Sequence, residues 1–187
     1  MYTRSIGSSE LGERHPSERV SLRDGSTVLV HPLTAGDEPA IESWFAGLGE
    51  ETRYARFLAP ITRLDRRTCA DLASVDHRDR EAITAVAPDG STVGIARYIR
   101  LPQPGTAEVA VAVADRWSGR GLASLLLRHV AARARAGGIH TFTALCLESN
   151  AAVIRLLSRL GPTTVDGPDG GLVELTIELM DAPGEAR

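Results

Sequence analysis

A carboxylate, a run of small residues and a glycine loop lie side by side in one stretch of this 187-residue chain, Glu108 to Ala123. Val109, Val111 and Val113 alternate there with Ala110, Ala112 and Ala114, and Glu108 is the only ionisable group on the alanine side. A period of two marks a strand, with the valines facing a core and Glu108 sharing the other face with methyl groups. A glutamate so placed can act as a general base, and a methyl-lined strand leaves room for an extended ligand. Ser118-Gly119-Arg120-Gly121 follows and runs into Leu122, Leu125, Leu126 and Val130, which recur at helical spacing. A strand, a glycine turn and a helix N-terminus bring free backbone N–H groups and the positive end of a helix dipole to one point. A phosphate-bearing cofactor is expected there.

Two nucleotide-binding patterns fail on detail. Gly119 and Gly121 match the first two glycines of the dinucleotide fingerprint, but its third position is Ser124. The acid that ends the next apolar run, Glu148, also lies 29 residues after Gly119 rather than about 20. A P-loop needs a lysine, and all 21 basic residues are arginine.

The elements that must position these groups read as follows. Residues 1–17 are polar and aperiodic and are expected to form a disordered arm, with 181–187 as a polar tail or linker stub. Val20–Leu22 and Val28–Val30 flank an Asp-Gly turn and predict a hairpin. Thr34 with Asp37 resembles a capping pair before a helix carrying Ile41, Trp44, Phe45 and Leu48. Short helices are expected over 50–57 and 65–72. Strands over 81–87 and 92–101 meet at Pro88-Asp89-Gly90-Ser91, and Pro102-Gln103-Pro104-Gly105 reverses the chain into the Glu108 strand, so these three are expected to be antiparallel neighbours. A central helix over 122–136 ends at Gly137-Gly138. A strand over 141–147 runs parallel to the Glu108 strand if that helix is a crossover. A helix over 150–160 and a last strand over 172–179 complete an α+β domain, 18–180.

Length and composition fit a single domain with 43% apolar residues. A net charge of −3 gives no electrostatic reason for a nucleic-acid partner. Cys69 and Cys146 are too few for a disulfide framework or a zinc site, and single histidines such as His77 and His129 lack a second ligand, so no metal is expected. No stretch is long and apolar enough to span a membrane, and a cytoplasmic location is the expectation.

The loop resembles the acetyl-CoA loop of the GNAT superfamily of N-acetyltransferases, Gln/Arg-x-x-Gly-x-Gly/Ala after a valine-alternating strand. Gly121 and Ala123 fill the two small positions, and Ser118 replaces the long side chain. Arg53-Tyr54-Ala55-Arg56-Phe57-Leu58, Val75-Asp76-His77, Val93-Gly94-Ile95-Ala96-Arg97-Tyr98 and Ala107-Glu108-Val109-Ala110 further resemble the bacterial protein-lysine acetyltransferase (Pat-type) branch. The resemblance implies a GNAT fold: a mixed, mostly antiparallel sheet with one central βαβ unit. It makes Glu108 the catalytic base. It assigns acetyl-CoA to Val111, Ala112, Val113, Ser118, Gly119, Arg120, Gly121, Leu122, Ala123, Ser124 and Asn150. Arg116 is a further candidate phosphate contact. Two departures stand out. Leu157 occupies the place of the tyrosine acid found in many members, and Gly161-Pro162 replaces the usual Gly-Phe.

Acetylating a lysine requires removing its proton, because an amine of pKa near 10.4 is almost wholly protonated at pH 7. Tyr54 and Tyr98 are candidate proton donors to the leaving thiolate. The resemblance implies an acetyl-CoA-dependent N-acetyltransferase acting on a protein lysine, with an AMP-forming acyl-CoA synthetase as the expected protein partner. A small-molecule amine acetyltransferase and a non-catalytic acyl-CoA-sensing module of a larger protein remain the alternatives.

Overall fold

The computed structural model describes residues 17–180, so the expected tail and all but the last residue of the expected arm lie outside it. Among the described residues, eight strands form one sheet and five α-helices flank it. The strands are β1 (Glu18–Ser21), β2 (Thr27–Pro32), β3 (Arg80–Val86), β4 (Thr92–Arg100), β5 (Thr106–Val113), β6 (Thr141–Leu147), β7 (Thr163–Asp169) and β8 (Leu172–Glu178). The helices are α1 (Glu38–Ala46), α2 (Glu50–Phe57), α3 (Arg66–Ala73), α4 (Leu122–Ala136) and α5 (Ala151–Leu157). The strand order is β1-β2-β3-β4-β5-β6-β8-β7. β5 and β6 pair in parallel and every other neighbouring pair is antiparallel.

Local chemistry sets the hairpins. In the β1–β2 turn, the Asp24 carboxylate accepts from Ser26 N (3.1 Å) and Ser26 Oγ (2.6 Å). Asp89 does the same with Ser91 between β3 and β4, at 3.0 and 2.6 Å. Both are Asx turns, in which a short side chain supplies the acceptor that a tight backbone reversal lacks. Asp76 gathers a larger loop before β3, accepting from the N–H groups of Arg78, Asp79 and Arg80 at 2.9, 2.8 and 2.8 Å. At the start of α3, Asp65 caps by accepting from Thr68 N at 2.7 Å.

The sheet has a core on each face. One is built on α4, whose Leu122, Leu126 and Val130 meet Val109, Val113, Phe142 and Leu175. The helix lies so close to β4 that a Cβ on Gly94 would be 2.9 Å from Leu126 Cδ1. On the opposite face, Ile41, Trp44 and Phe45 of α1 pack with Leu33, Cys69, Ile95 and Ala112. Burying one such large side chain stabilises the fold by roughly 1.5–3 kcal/mol, so a truncation in either layer is expensive.

Four local expectations need correction. β7 was not expected. It is an edge strand with its last six residues exposed, and Gly167-Pro168 falls inside a register shift between Asp166 and Asp169. An edge strand needs no apolar alternation and tolerates proline, so it carries no period-two signal. Asp37, not Thr34, is the N-cap of α1. The pair does interact, with Asp37 Oδ2 accepting from Thr34 N (2.7 Å) and Thr34 Oγ1 (2.8 Å). α5 ends at Leu157, and Ser158–Leu160 is a tighter 3-10 turn. The alanine face of β5 is covered at its far end, at Ala112 and Ala114, and partly open at Ala110. Ala112 belongs to the α1-side core and its carbonyl accepts from Trp44 Nε1 at 3.3 Å, while Val111 is only partly buried.

Candidate active site

β5 and β6 run together for only three pairs, Thr106↔Thr141, Ala107↔Phe142 and Glu108↔Thr143. Beyond Glu108, β5 continues to Val113 paired with β4 alone, and β6 continues to Leu147 paired with β8 alone. The strands therefore part. The gap is a cleft of about 570 Å3 lined by Val109–Val113, by Ala144, Leu145 and Cys146, by Thr52, Ala55 and Arg56 of α2, and by the glycine loop and α5. Ala114 N donates to Val93 O at 2.8 Å. Alternation along an antiparallel strand then turns the N–H groups of Val111 and Val113 away from β4, toward the side where β6 has left. Those unpaired groups can bind the amides of an extended ligand or hold a carbonyl oxygen.

At the other end of the cleft lies an anion cradle. Gly119 and Gly121 have φ of +76° and +87°, the left-handed region that favours glycine. These two turns fold Ser118–Gly121 over the first turn of α4. The N–H groups of Gly119, Gly121, Leu122, Ala123 and Ser124 find no acceptor among the described residues. α4 spans 15 residues and starts with no side-chain cap, so its dipole is available to a phosphate. Asp115 Oδ1 accepts from Thr52 Oγ1 at 2.8 Å, tying α2 to the loop. A pyrophosphate fits this donor set; among the described residues no group of three or more His, Cys, Asp or Glu is placed to hold a metal ion.

Glu108 is exposed and sits at the last β5–β6 pair, at the point where the cleft begins. It does not line the cleft itself, whereas Ala110, next on the same face, does. Arg97 lies beside Ala110 in the register and is 7% exposed. Its Nε has no partner, and its Nη1 reaches Leu72 O at 3.5 Å. Burial pushes the Arg97 guanidinium below its usual range, Arg80 adds to that, and Glu108 and Asp71 oppose it. Arg56 is half-buried and lines the cleft. Burial and then Arg97 push it down to about 10, again opposed by Glu108. Both arginines still carry charge at neutral pH, so Glu108 looks onto a positive, partly desolvated wall.

The structure brings most of the expected cofactor residues together. Val111, Ala112, Val113, Ser118, Gly119, Gly121, Leu122, Ala123, Ser124 and Asn150 all line the cleft. Arg120 does not. Its guanidinium pairs with Asp24 at 2.8 Å, donates to Arg116 O at 2.9 Å and lies 4.8 Å from the Trp117 ring centre. Arg116 is likewise engaged elsewhere, donating to Ser91 Oγ at 2.9 Å. The Asn150 side chain accepts from Val153 N at 3.2 Å as the N-cap of α5. Tyr98 is not available as a proton donor to the cleft: it is buried in the α4-side core and its hydroxyl reaches Arg78 O at 3.3 Å. Tyr54 is exposed on α2. Leu157 is buried at the cleft wall. Sequence reasoning missed Arg23, Arg155, Arg159 and Thr52, which also line the cleft. Arg155 and Arg159 were findable as same-face neighbours on the helix after Asn150; Arg23 carries no local signal.

Comparisons with known proteins meet this geometry. The sequence model of the acetyltransferase (GNAT) family matches residues 42–161. An acetyltransferase of Pseudomonas aeruginosa is 33% identical over 152 residues, covering 80% of this chain and 82% of that protein. The acetyltransferase Pat of Mycolicibacterium smegmatis is 29% identical over 175 residues, 87% of this chain, which spans only 52% of that protein's length. The crystal structure of the GNAT domain of S. lividans Pat superposes with a TM-score of 0.79 at 34% identity, covering 87% of this chain and 97% of that one. With strands splayed beside an uncapped helix and the family match running through both, the chain belongs to the GNAT family of acetyltransferases.

Proposed function

We propose that this chain moves the acetyl group of acetyl-CoA to the side-chain amine of a protein lysine, with Glu108 as general base. The observation that carries the reading is the position of Glu108 at the last β5–β6 pair, where a groove with unpaired N–H groups opens toward the anion cradle of α4. Acetyl-CoA supplies an activated thioester whose thiolate, with a pKa near 8.5, leaves without strong acid help. The cradle of Ser118–Ser124 holds its pyrophosphate, the walls of β5 and Asn150 flank its arm, and the N–H of Val111 or Val113 steadies charge on the thioester oxygen. Glu108 takes the proton from the incoming ammonium, directly or through one water, so that a free amine attacks. The positive wall of Arg56 and Arg97 disfavours an ammonium nearby and thus helps the amine shed its proton.

The likeness of the Arg53–Leu58, Val93–Tyr98 and Ala107–Ala110 segments to the Pat-type branch supports a protein acceptor, and an AMP-forming acyl-CoA synthetase is the proposed partner. Two free, buried cysteines are in keeping with a cytoplasmic location. Among the described residues, no helix is long and apolar enough to cross a membrane.

The chain contains no lysine, which gives the test a clean background. Incubation with labelled acetyl-CoA and a panel of acyl-CoA synthetases should label a synthetase and lower its activity. Rapid acetylation of spermidine or an aminoglycoside, with every synthetase unlabelled, would replace the protein acceptor by a small amine.

A further inference from the structure

A diphosphate brings two negative charges to the glycine loop, yet the loop spends its own cations elsewhere. Ser118 stands where the family pattern has a long Gln or Arg. Arg116 reaches Ser91, and Arg120 is paired with Asp24 at 2.8 Å. A cation does reach the loop from a distant part of the chain. Arg23, in the turn between β1 and β2, lines the cleft, and its Nε would be 3.4 Å from a Cβ placed on Gly121. Its guanidinium is exposed and forms no ion pair or side-chain hydrogen bond with any described residue.

The turn that carries Arg23 is fastened to the loop. Arg23 N donates to Arg120 O at 3.4 Å, and the Asp24–Arg120 pair lies immediately beside it. Asp24 is itself fixed by Ser26, as described above. Arg120 thus has a role its position in the motif does not announce: it docks the hairpin. This hairpin precedes the residues matched by the family model, 42–161, so family membership does not assign it.

We propose that Arg23 binds the pyrophosphate of acetyl-CoA, supplying from the β1–β2 turn the long polar side chain that Ser118 leaves out of the loop. A guanidinium presents several N–H donors in one plane, which suits two adjacent phosphoryl groups spanning the gap between Arg23 and the N–H groups of Gly121 and Leu122. The inference rests on the acetyl-CoA reading given above.

The test is a set of dissociation constants by calorimetry for the wild-type chain and Arg23→Ala. Arg23 is on the surface, and circular dichroism checks that the variant is folded. Acetyl-CoA should bind the variant about tenfold more weakly, as loss of one charge-assisted contact predicts. The same factor should appear with 3′-dephospho-acetyl-CoA, and the salt dependence of binding should flatten. S-acetylpantetheine, which has no pyrophosphate, should compete equally well on both proteins. Equal acetyl-CoA affinity in wild type and variant would overturn the inference, as would an equal loss with S-acetylpantetheine. A loss that vanishes with the 3′-dephospho compound would move Arg23 to the other phosphate and overturn the pyrophosphate assignment. A wild-type chain that binds no acetyl-CoA would instead overturn the functional reading itself.

Discussion

Gly121→Val perturbs the cradle at its tightest point. Gly121 has φ +87°, a conformation that costs an L-residue about 1–2 kcal/mol, with β-branched valine at the upper end. That is a stability cost, read from urea unfolding. Binding suffers separately. The new Cβ would lie 3.4 Å from Arg23 Nε, and the γ-carbons reach further into the space where a phosphate meets the N–H groups of Gly121 and Leu122. Two charge-assisted hydrogen bonds at about 1.5 kcal/mol each amount to about 3 kcal/mol, or roughly a hundredfold in affinity. Calorimetric titration of the folded variant with acetyl-CoA measures it directly. An unchanged dissociation constant would refute the cradle, because no ligand phosphate then approaches that backbone.

Glu108→Gln keeps the shape and removes the basicity, so kcat should fall about 10²–10⁴-fold with acetyl-CoA affinity nearly intact, and recover in part at high pH; near-normal turnover at pH 7 would remove Glu108 from the mechanism. Asp76 is held below the usual carboxylate range, first by the Arg80 N–H, with burial opposing and the Arg78 and Asp79 N–H groups adding to it. Its contribution to stability is therefore present above the ordinary carboxylate pKa and lost as pH falls through the lowered folded value, so Asp76→Asn should flatten the acid limb of a urea-midpoint profile. Matching limbs in the two proteins would exclude Asp76 as a source of that limb. Burial raises the thiols of Cys146 and Cys69, so both should alkylate slowly at pH 7. Acetyl-CoA should slow Cys146, which lines the cleft, and leave Cys69 unchanged; labelling of Cys146 that ignores acetyl-CoA would place the ligand elsewhere.

What was legible in the sequence was what local periodicity and turn chemistry encode. The span of α4, Leu122–Ala136, follows from its apolar spacing and from Gly121 and Gly137 at its ends. β6 likewise follows from a short apolar run between turns. The divergence of β5 from β6 follows from the family resemblance and from no local pattern, because it depends on which partner each strand keeps after Glu108. For the same reason the alanine face looked open: the residue that covers Ala112 is Trp44, 68 positions away. Arg120 illustrates the limit from the other side. Its place in the motif pointed to phosphate, while Asp24 and Trp117 claim its guanidinium.

The short β5–β6 ladder also has a mechanical meaning. Among the described residues it is the one strand ladder joining two half-sheets, β1 to β5 on one side and β6, β8 and β7 on the other. Each half is knit internally by longer antiparallel ladders, such as the seven pairs of β6 with β8, while the seam has three. Opening it sacrifices few hydrogen bonds, so the amides along it are expected to exchange with solvent by a local parting of the halves, at rates above those of the β3–β4 ladder. A ligand seated in the cleft touches both halves and adds stitches where the chain itself has few. Slower exchange and a higher melting temperature should then spread from the cleft into β6 and β8, so that occupancy is felt as stiffness across the whole sheet.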